Sequence, residues 1–569
     1  MNRQEIKETH IWGLYEKGRN YHRMTGIYTD SDRNYRMYNG NQWEGAKLGG
    51  VEPVQKNFIK PIVKYKLSVI FDNLYAIHYS SQNFEDPEFH KVADHCCEML
   101  NTYAHHVWEQ DEMDFKTRRV TKDSAINDEG IIYVDFDKEK MMPRNEIIKK
   151  SDIYYGDENN DDIQTQPYIL IRKRVSQTEA IDFALKNGIS EAETLLIIGD
   201  NDTIEESGEA AKLEVDDRVT LLFKFYKENG IVFFSVSTRA LDIVKDAELG
   251  ISRYPFAHLN WEEKEGSARG EGEVRYLIPN QIEVNKTEMR RVLTVKNQAY
   301  PIKVVDTSKV ENPNAVNQVG GLIKTKGQTV DDVKKIVGII HPAQMSSDVK
   351  QLQEDLIQLT RELAGAGDIA TGQVNPETAS GRAILAVQQA SQAPMMEQKQ
   401  SYKKFVEDIA RIWLEYFIVY SENGIKLQDT VTDPATNQEV VKVVTVPQMV
   451  LRRLQATVKI DVTPKSVYDK FTQEQILEKL FTMGYFNVQK LAELKIYVSL
   501  LDDDSTLPKI KLEKAIKFME DEQMKIAQIQ AKKQIMQQRA NQYLNEDVDG
   551  QASQMVDAMR QLQMVNTGN

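Results

Sequence analysis

Between residues 270 and 420 the hydrophobic pattern changes three times, and the order of those changes restricts the fold more than any other feature. A helical segment, GEGEVRYLIPNQIEVNKTEMRRVLTVKNQ, precedes a strand-rich insert containing AYPIKVVD, GGLIKTK and IVGIIHP. A second helical segment, SSDVKQLQEDLIQLTREL, then leads through the Gly-rich stretch AGAGDIATGQVNPETASGRAILAVQQ into a longer helix. In the first segment Ile278, Ile282, Met289 and Val292 follow helical spacing, with Asn285 on the same face and Gln281 four residues before it. Pro279 suits a first helical turn, where its missing N–H costs nothing. The expected helix, Pro279 to Gln298, spans about 30 Å at 1.5 Å per residue.

Ser347 is the expected N-cap of the second helix. Val349, Leu352, Leu356, Leu359 and Leu363 then recur at 3-4-3-4 spacing, a narrow apolar seam flanked by Lys350, Glu354, Asp355, Arg361 and Glu362. Such a seam is either intramolecular core or a surface for side-by-side packing of copies, and the pattern leaves both readings open. The third helix follows Asn375-Pro376-Glu377-Thr378 and meets Pro394, where a lost hydrogen bond and a ring clash predict a kink or break. Beyond it Tyr402, Phe405, Ile409, Ile412 and Tyr416 resume the 3-4-3-4 pattern.

The flanking regions read as α+β. Residues 1 to about 120 are mostly helical, interrupted by the turn Tyr38-Asn39-Gly40-Asn41-Gln42-Trp43. After it, Asn57 to Val63 leads into an apolar-periodic helix ending near Asn73. Gly130–Phe136 and Tyr168–Arg172 read as strands. Ser176-Gln177-Thr178-Glu179 has capping-box spacing and opens a helix through Leu185. Val219–Phe225 and Ile231–Val236 flank Glu228-Asn229-Gly230, a hairpin signal. The stretch from Asp200 to Ala211 is acidic and reads as a surface loop. Strands are expected at Val440–Val446 and Ala456–Val462, and helices at Thr472–Met483, Asn487–Leu494 and Pro508 to about Leu544. The polar tail 545–569 has too few apolar residues to require order.

At 569 residues, 41% hydrophobic and 28% charged, the chain is long enough for several domains with a sizeable core. Its net charge of −14 runs against the basic excess of a protein that grips phosphates over most of its surface. That charge fits either an ordinary acidic protein or a surface that DNA must pass without sticking. The adjacent Cys96 and Cys97 offer no disulfide framework, so a reducing compartment is expected. No apolar run reaches the roughly 18 residues of a membrane span. There is no P-loop: Gly266-Ser267-Ala268-Arg269-Gly270-Glu271-Gly272 lacks the Lys-Ser/Thr ending, and Glu271 and Glu273 would repel phosphate. Arg275 also stands where a dinucleotide fingerprint needs its third glycine. His95, Cys96, Cys97, His105 and His106 lack zinc-site spacing and read as buried cysteines beside surface histidines. Asp502-Asp503-Asp504 fits solvated charge before a helix. No metal, cofactor or catalytic residue is expected.

The order of motifs resembles the tailed-bacteriophage portal proteins, with the aromatic-Asn-Gly-x-Gln-Trp turn resembling those of Gram-positive siphophages. Tyr254-Pro255-Phe256 with the turn Gly270-Glu271-Gly272-Glu273 looks like the entry to a first stem helix, which carries Gln281 and Asn285 at the family's habitual Gln and Asn. Pro301 before Ile302–Val305, together with Gly320-Gly321, looks like the clip. His341-Pro342 to Ser346 looks like the exit into the second stem helix. Gly365–Gln373 looks like the tunnel loop, and Thr378-Ala379-Ser380-Gly381 like the start of the long helix behind it. The resemblance implies a multidomain α+β chain: wing 1–262, first stem helix 270–299, clip 300–345, second stem helix 346–364, tunnel loop 365–376, long kinked helix and wing strands 377–463, helical crown 464–544, and tail 545–569. It implies a structural protein, not an enzyme, forming a homo-oligomeric ring, usually of twelve, at one capsid vertex of the virion. Double-stranded DNA would pass through it during packaging and ejection. The terminase large subunit, major capsid and scaffolding proteins and a head-completion adaptor would be partners, with no membrane.

The residues assigned by that resemblance are Gly365, Ala366, Gly367, Asp368 and Gln373 for the tunnel loop, and Pro301, Gly320, Gly321, Lys324 and Lys326 for the clip. Stem packing falls to Gln281, Asn285, Val349, Leu352, Leu356, Leu359 and Leu363. Gly365 and Gly367 are expected to give the loop freedom in φ. Lys334, Lys335 and Arg382 are further basic residues near these elements, with solvated surface as their plainer reading. The competing expectations are a cytosolic enzyme or regulator with an unrecognised site, or another head-tail structural protein.

Overall fold

The computed structural model describes residues 10–48, 52–71, 73–80, 87–200, 217–300, 302–318, 322–326, 337–340, 345–367, 393–420, 426–432, 439–445 and 459–466, with separate pieces between 477 and 537. The chain divides into two compact units, Met1–Pro464 and Lys465–Asn569. Helix and strand are mixed throughout the first, as an α+β reading requires.

The first unit opens with three helices, α1 (Ile11–Thr25), α2 (Ile27–Asn39) and α3 (Ile59–Ile70). Strand β1 (Asn73–Ser80) and helices α4 (Pro87–Gln110) and α5 (Met113–Asn127) follow. The sequence pattern had no place for β1. Its partner is the remote strand β14 (Lys459–Ser466), so the pairing is set by tertiary contact rather than local pattern. Cys96 and Cys97 are buried on α4, whereas the side chains of His95 and His105 are exposed.

Two antiparallel sheets come next. Strands β2 (Glu129–Asp137), β3 (Met142–Ile148) and β9 (Phe256–Asn260) form one, in the order β3-β2-β9. The other runs β4-β5-β6-β7-β8, from β4 (Ile153–Tyr155) through β5 (Tyr168–Ser176), β6 (Arg218–Glu228) and β7 (Ile231–Ser237) to β8 (Asp242–Glu248). Helices α6 (Gln177–Lys186) and α7 (Glu191–Thr194) lie between β5 and β6 in sequence. Ser176 caps α6 as expected, its side chain accepting from the Glu179 N–H at 3.2 Å. The complete two-way capping box occurs instead at Ser190 and Glu193. The expected hairpin is present, with Asn229 and Gly230 at φ 53° and 83° joining β6 to β7.

Helix α8 (Glu273–Ala299), strands β10 (Ile302–Val305) and β11 (Val337–Ile340), and helix α9 (Ser347–Leu363) reproduce the predicted order of helix, insert and helix. Two details differ. Helix α8 starts six residues before Pro279, which therefore lies inside the helix, because Gly272 and its neighbours fix the start. The N-cap of α9 is Ser346, whose side chain accepts from the Asp348 N–H at 3.3 Å, one residue earlier than expected. Further on, Pro394 sits in a 3₁₀ turn, Ala393–Met395, that leads directly into α10 (Met396–Tyr420); residues 368–392, which would show the helix expected before it, lie outside the described residues.

Helix α10 forms much of the core. Tyr402, Phe405, Ile409, Ile412 and Tyr416, the expected face, are all buried, with Trp413 and Phe417 beside them. Trp413 Nε1 donates to Asn145 Oδ1 at 3.0 Å, and the Tyr416 hydroxyl to the Val134 carbonyl at 3.1 Å. These bonds hold α10 to β2 and β3 while burial of each large side chain stabilises by about 1.5–3 kcal/mol. Strands β12 (Lys426–Thr432) and β13 (Glu439–Thr445) pair as a hairpin. In the second unit, α11 (Leu491–Ser499) extends five residues past its predicted end at Leu494. The predicted start of the long helix, 377–392, and the tail lie outside the described residues. Among the described residues, no helix is long and apolar enough to cross a membrane.

Candidate functional site

The helix pair α8–α9 is assembled from its base. Gly272 is the N-cap of α8, and its N–H donates to Asp128 Oδ1 at 2.7 Å. A Cβ at Gly272 would stand 2.8 Å from the Asp128 nitrogen, and one at Gly270 would stand 2.5 Å from the Glu262 carbonyl. The Gly-x-Gly turn exists because the chain passes too close to its neighbours for a side chain. Glu273, the first helical residue, accepts from Lys66 Nζ at 2.5 Å and from Trp261 Nε1 at 3.3 Å, a carboxylate placed where the helix N-terminus favours one.

Directly before the turn, Arg269 is buried at the centre of an ionic cluster. Its Nε donates to Glu158 Oε2 at 2.8 Å and its Nη2 to Glu158 Oε1 at 3.0 Å. Nη1 is paired with Glu129, and Nη2 also donates to the Ile153 carbonyl at 3.1 Å. The guanidinium lies 4.9 Å from the Tyr155 ring centre. His22 Nε2 sits 2.9 Å from Nη2, and because arginine only donates, that nitrogen accepts and the ring is neutral. Burial lowers the His22 pKa to about 4, in agreement. Burial also pushes the Glu129 carboxyl up, but Arg269 and His258 outweigh it and hold the group at about 2. Beside this cluster Lys150 pairs with Asp128, the residue that caps Gly272. Every one of these charges is compensated within the chain.

Gln281 and Asn285, assigned to stem packing, are buried but face the chain's own N-terminal part. Gln281 accepts from the Phe58 N–H at 3.0 Å and donates to the Lys56 carbonyl at 2.7 Å and to Asn285 Oδ1 at 3.0 Å. Asn285 accepts from the Lys56 N–H at 3.1 Å and donates to Gln42, in the turn that carries Trp43. The pair is thus a clamp that satisfies the backbone of an extended segment and ties α8 to the aromatic turn. The amide side chains were legible as special, but the polypeptide they bind was not.

The two helices run antiparallel, joined by polar side chains: Asn280 to Thr360 at 2.9 Å, Gln353 to Glu288 at 2.8 Å and Arg291 to Gln353 at 2.6 Å. Gln353 and Thr360 are buried between them. Of the apolar seam, Val349 and Leu356 are half-buried, whereas Leu352, Leu359 and Leu363 are 65%, 53% and 79% exposed. The seam is therefore not the inner contact of the pair. Its outer leucines face away from the chain's own core, as do Val295 and Leu293 of α8.

At the end of α9, Gly365 has φ 71° and closes the helix. Its N–H bonds to the Glu362 carbonyl at 3.0 Å and that of Ala366 to the Arg361 carbonyl at 2.8 Å, a left-handed glycine cap. Ala366 is buried, lining a cavity of about 270 Å³ with Phe58, Pro61, Ile62, Tyr65 and Arg361. Gly365, one of the two glycines expected to give freedom in φ, takes the positive φ that glycine allows, and here it caps the helix. Asp368, Gln373 and Arg382 lie outside the described residues. In the insert, β10 and β11 pair antiparallel, Ile302 opposite Ile340. Lys324 and Lys326 are exposed beside a bridge between Val310 and Thr325. Pro301, Gly320, Gly321, Lys334 and Lys335 lie outside the described residues.

Among known proteins, the family model described as Phage P22-like portal protein matches residues 241–566, more than half of the chain. The chain belongs to the P22-like phage portal protein family. The matched part takes in the whole helix–insert–helix arrangement, and the family is structural rather than enzymatic. Membership implies a homo-oligomeric ring that interacts with capsid and DNA. One curated relative, the phenylalanine–tRNA ligase alpha subunit of Clostridium botulinum (strain 657 / Type Ba4), is 27% identical over 161 residues. That likeness covers 26% of this chain and 45% of the ligase subunit, so the chain spans less than half of that relative.

Proposed function

We propose that this chain forms the ring at one capsid vertex through which DNA is packaged and ejected, with the α8–α9 pair as its stem. The observation that carries this reading is the set of leucines left exposed on α9, within a helix pair whose own contact is polar. A second copy laid alongside would cover Leu352, Leu359 and Leu363, and the flanking Lys350 and Glu354 would sit at the rim of that contact. The β10–β11 ribbon with Lys324 and Lys326 would be the clip, where the terminase large subunit docks and is later replaced by a head-completion adaptor. The tunnel loop would begin at Asp368, after the anchored Gly365–Gly367, and include Gln373. The region up to residue 262 would be the wing and that beyond 464 the crown.

Copies of a chain with net charge −14 would give an acidic channel, which lowers the tendency of DNA phosphates to stick. The Trp43 turn supports placing the chain with portals of Gram-positive siphophages, and a twelvefold ring is the count that the resemblance favours. Negative-stain electron microscopy of the purified full chain tests the reading. Rings with a central hole support it, whereas monomers and dimers alone across a range of salt concentrations would refute it.

A further inference from the structure

A concavity of about 840 Å³ lies between α2, α5 and the turn after β3, remote in sequence from the helix pair. Its wall carries Arg118, Arg119 and Lys122 from α5, with Lys149 opposite. Among the described residues none of these four has a carboxylate within ion-pair distance, although the chain carries 86 acidic residues against 72 basic ones. The carboxylates that line the same space are already engaged. Asp32 pairs with Arg36 at 2.9 Å, Asp123 accepts from the Tyr35 hydroxyl at 2.6 Å, and Glu129 belongs to the Arg269 cluster. Arg118 lies over the Phe71 ring and Lys122 over the Tyr38 ring, partners that leave their charge standing. Asp123, whose charge a neutral hydroxyl does not cancel, offsets only one of the four cations, so the cleft attracts a further anion.

The side-chain types narrow the ligand. Two adjacent guanidiniums present planar forks that match phosphate oxygens, and Phe115, on the same wall, is 64% exposed. Cations beside an open aromatic face suit a nucleotide chain, in which phosphates alternate with stacking bases. We infer that this cleft binds the phosphates of a nucleic-acid strand, at a place on the wing apart from the central channel. The choice of nucleic acid rests on the portal reading, but the site itself does not require a ring.

The test measures anisotropy of a fluorescein-labelled 16-nucleotide single strand and of the matching duplex with the full chain, with inorganic tripolyphosphate and polyglutamate as competitors. Arg119→Glu/Lys122→Glu is compared with Lys186→Glu/Arg239→Glu, an equal charge change at exposed residues elsewhere. Arg118→Ala serves as a milder second variant. The expected result is saturable binding displaced by tripolyphosphate, at least tenfold weaker in the cleft variant and within twofold of wild type in the control. The salt dependence should also lose about two phosphate contacts. Equal affinities in both double variants, or no saturable binding, would overturn the inference. Displacement by polyglutamate but not tripolyphosphate would overturn it in favour of an acidic peptide. Micrographs of the same variants separate failure of this site from failure of ring formation.

Discussion

The base of α8 and the outer face of α9 obey opposite rules. At the base of α8, Arg269, Glu129, Glu158, Asp128, Lys150, Lys66 and Glu273 form a buried set in which every charge finds its partner within one chain. Along α9, apolar side chains stand in solvent although polar ones fill the contact with α8. The first region is complete in a single copy, whereas the second, on the function proposed above, would be completed by another. On that proposal the difference separates what folds the subunit from what assembles it, and the two should respond differently to substitution.

The largest effect is expected at the complete region. Arg269→Met removes the cation between Glu129 and Glu158, leaving Glu158 without its guanidinium and Glu129 with only His258 beside it, a loss of about 3–5 kcal/mol. Thermal unfolding of the variant should shift by many degrees, and little soluble chain should remain for assembly. An unchanged melting temperature would mean that the cluster does not hold α8 to the sheets and α1. Acid should weaken the same place. His22 is held neutral, with a folded pKa near 4 below its ordinary 6.5, so its contribution is present above about pH 6.5 and is lost as pH falls towards 4. Glu129, near 2 against 4.5, adds a loss that continues from about pH 4.5 down to 2. Both act in one direction. His22→Gln should flatten only the upper part of that slope in a pH series of urea melts.

The incomplete region should show the reverse. Leu352→Glu with Leu359→Glu places charge on exposed positions and should leave the melting temperature of the isolated subunit within a degree or two. Rings should disappear from micrographs and from sedimentation profiles. If the variant still forms rings, the leucines face something other than a neighbouring copy. If instead the subunit unfolds, they belong to its core and the comparison between the two regions fails.

The contrast also explains what the sequence could reveal. Helix α9 and its seam were legible because 3-4-3-4 spacing is local. The pattern could not say which side of α9 meets α8, because Gln353 and Thr360, the residues that decide it, are unremarkable polar residues at helical spacing. The Arg269 cluster was illegible for a different reason. Its members come from positions 22, 129, 158 and 269, and no spacing links them; only the Gly270-x-Gly272 turn beside it is visible as a local pattern. Strand β1 was missed because its partner lies near the far end of the first unit.

Between these extremes lies the clamp. Gln281→Ala would orphan the buried Phe58 N–H and Lys56 carbonyl and should cost about 1–3 kcal/mol. Gln281→Glu keeps the acceptor but sets a buried carboxylate oxygen against the Lys56 carbonyl and Asn285 Oδ1, so it should cost at least as much as alanine. If the alanine variant melts like wild type, water replaces the amide and the clamp is weaker than its geometry.

The smallest effect is the most discriminating. Gly365 closes α9 at φ 71°, and a Cβ there would meet Pro394 only at ordinary contact distance, 3.5 Å. Gly365→Ala therefore imposes backbone strain without a clash, and about 1 kcal/mol of stability should be lost. A residue chosen for loop freedom would tolerate alanine with no change in stability and would reveal itself in packaging alone. A helix cap should do the opposite, lowering the melting temperature slightly while rings still form, because the outer leucines precede it on the helix. Gly365→Asn sharpens the distinction, since asparagine accepts positive φ more readily than alanine and should recover part of the loss.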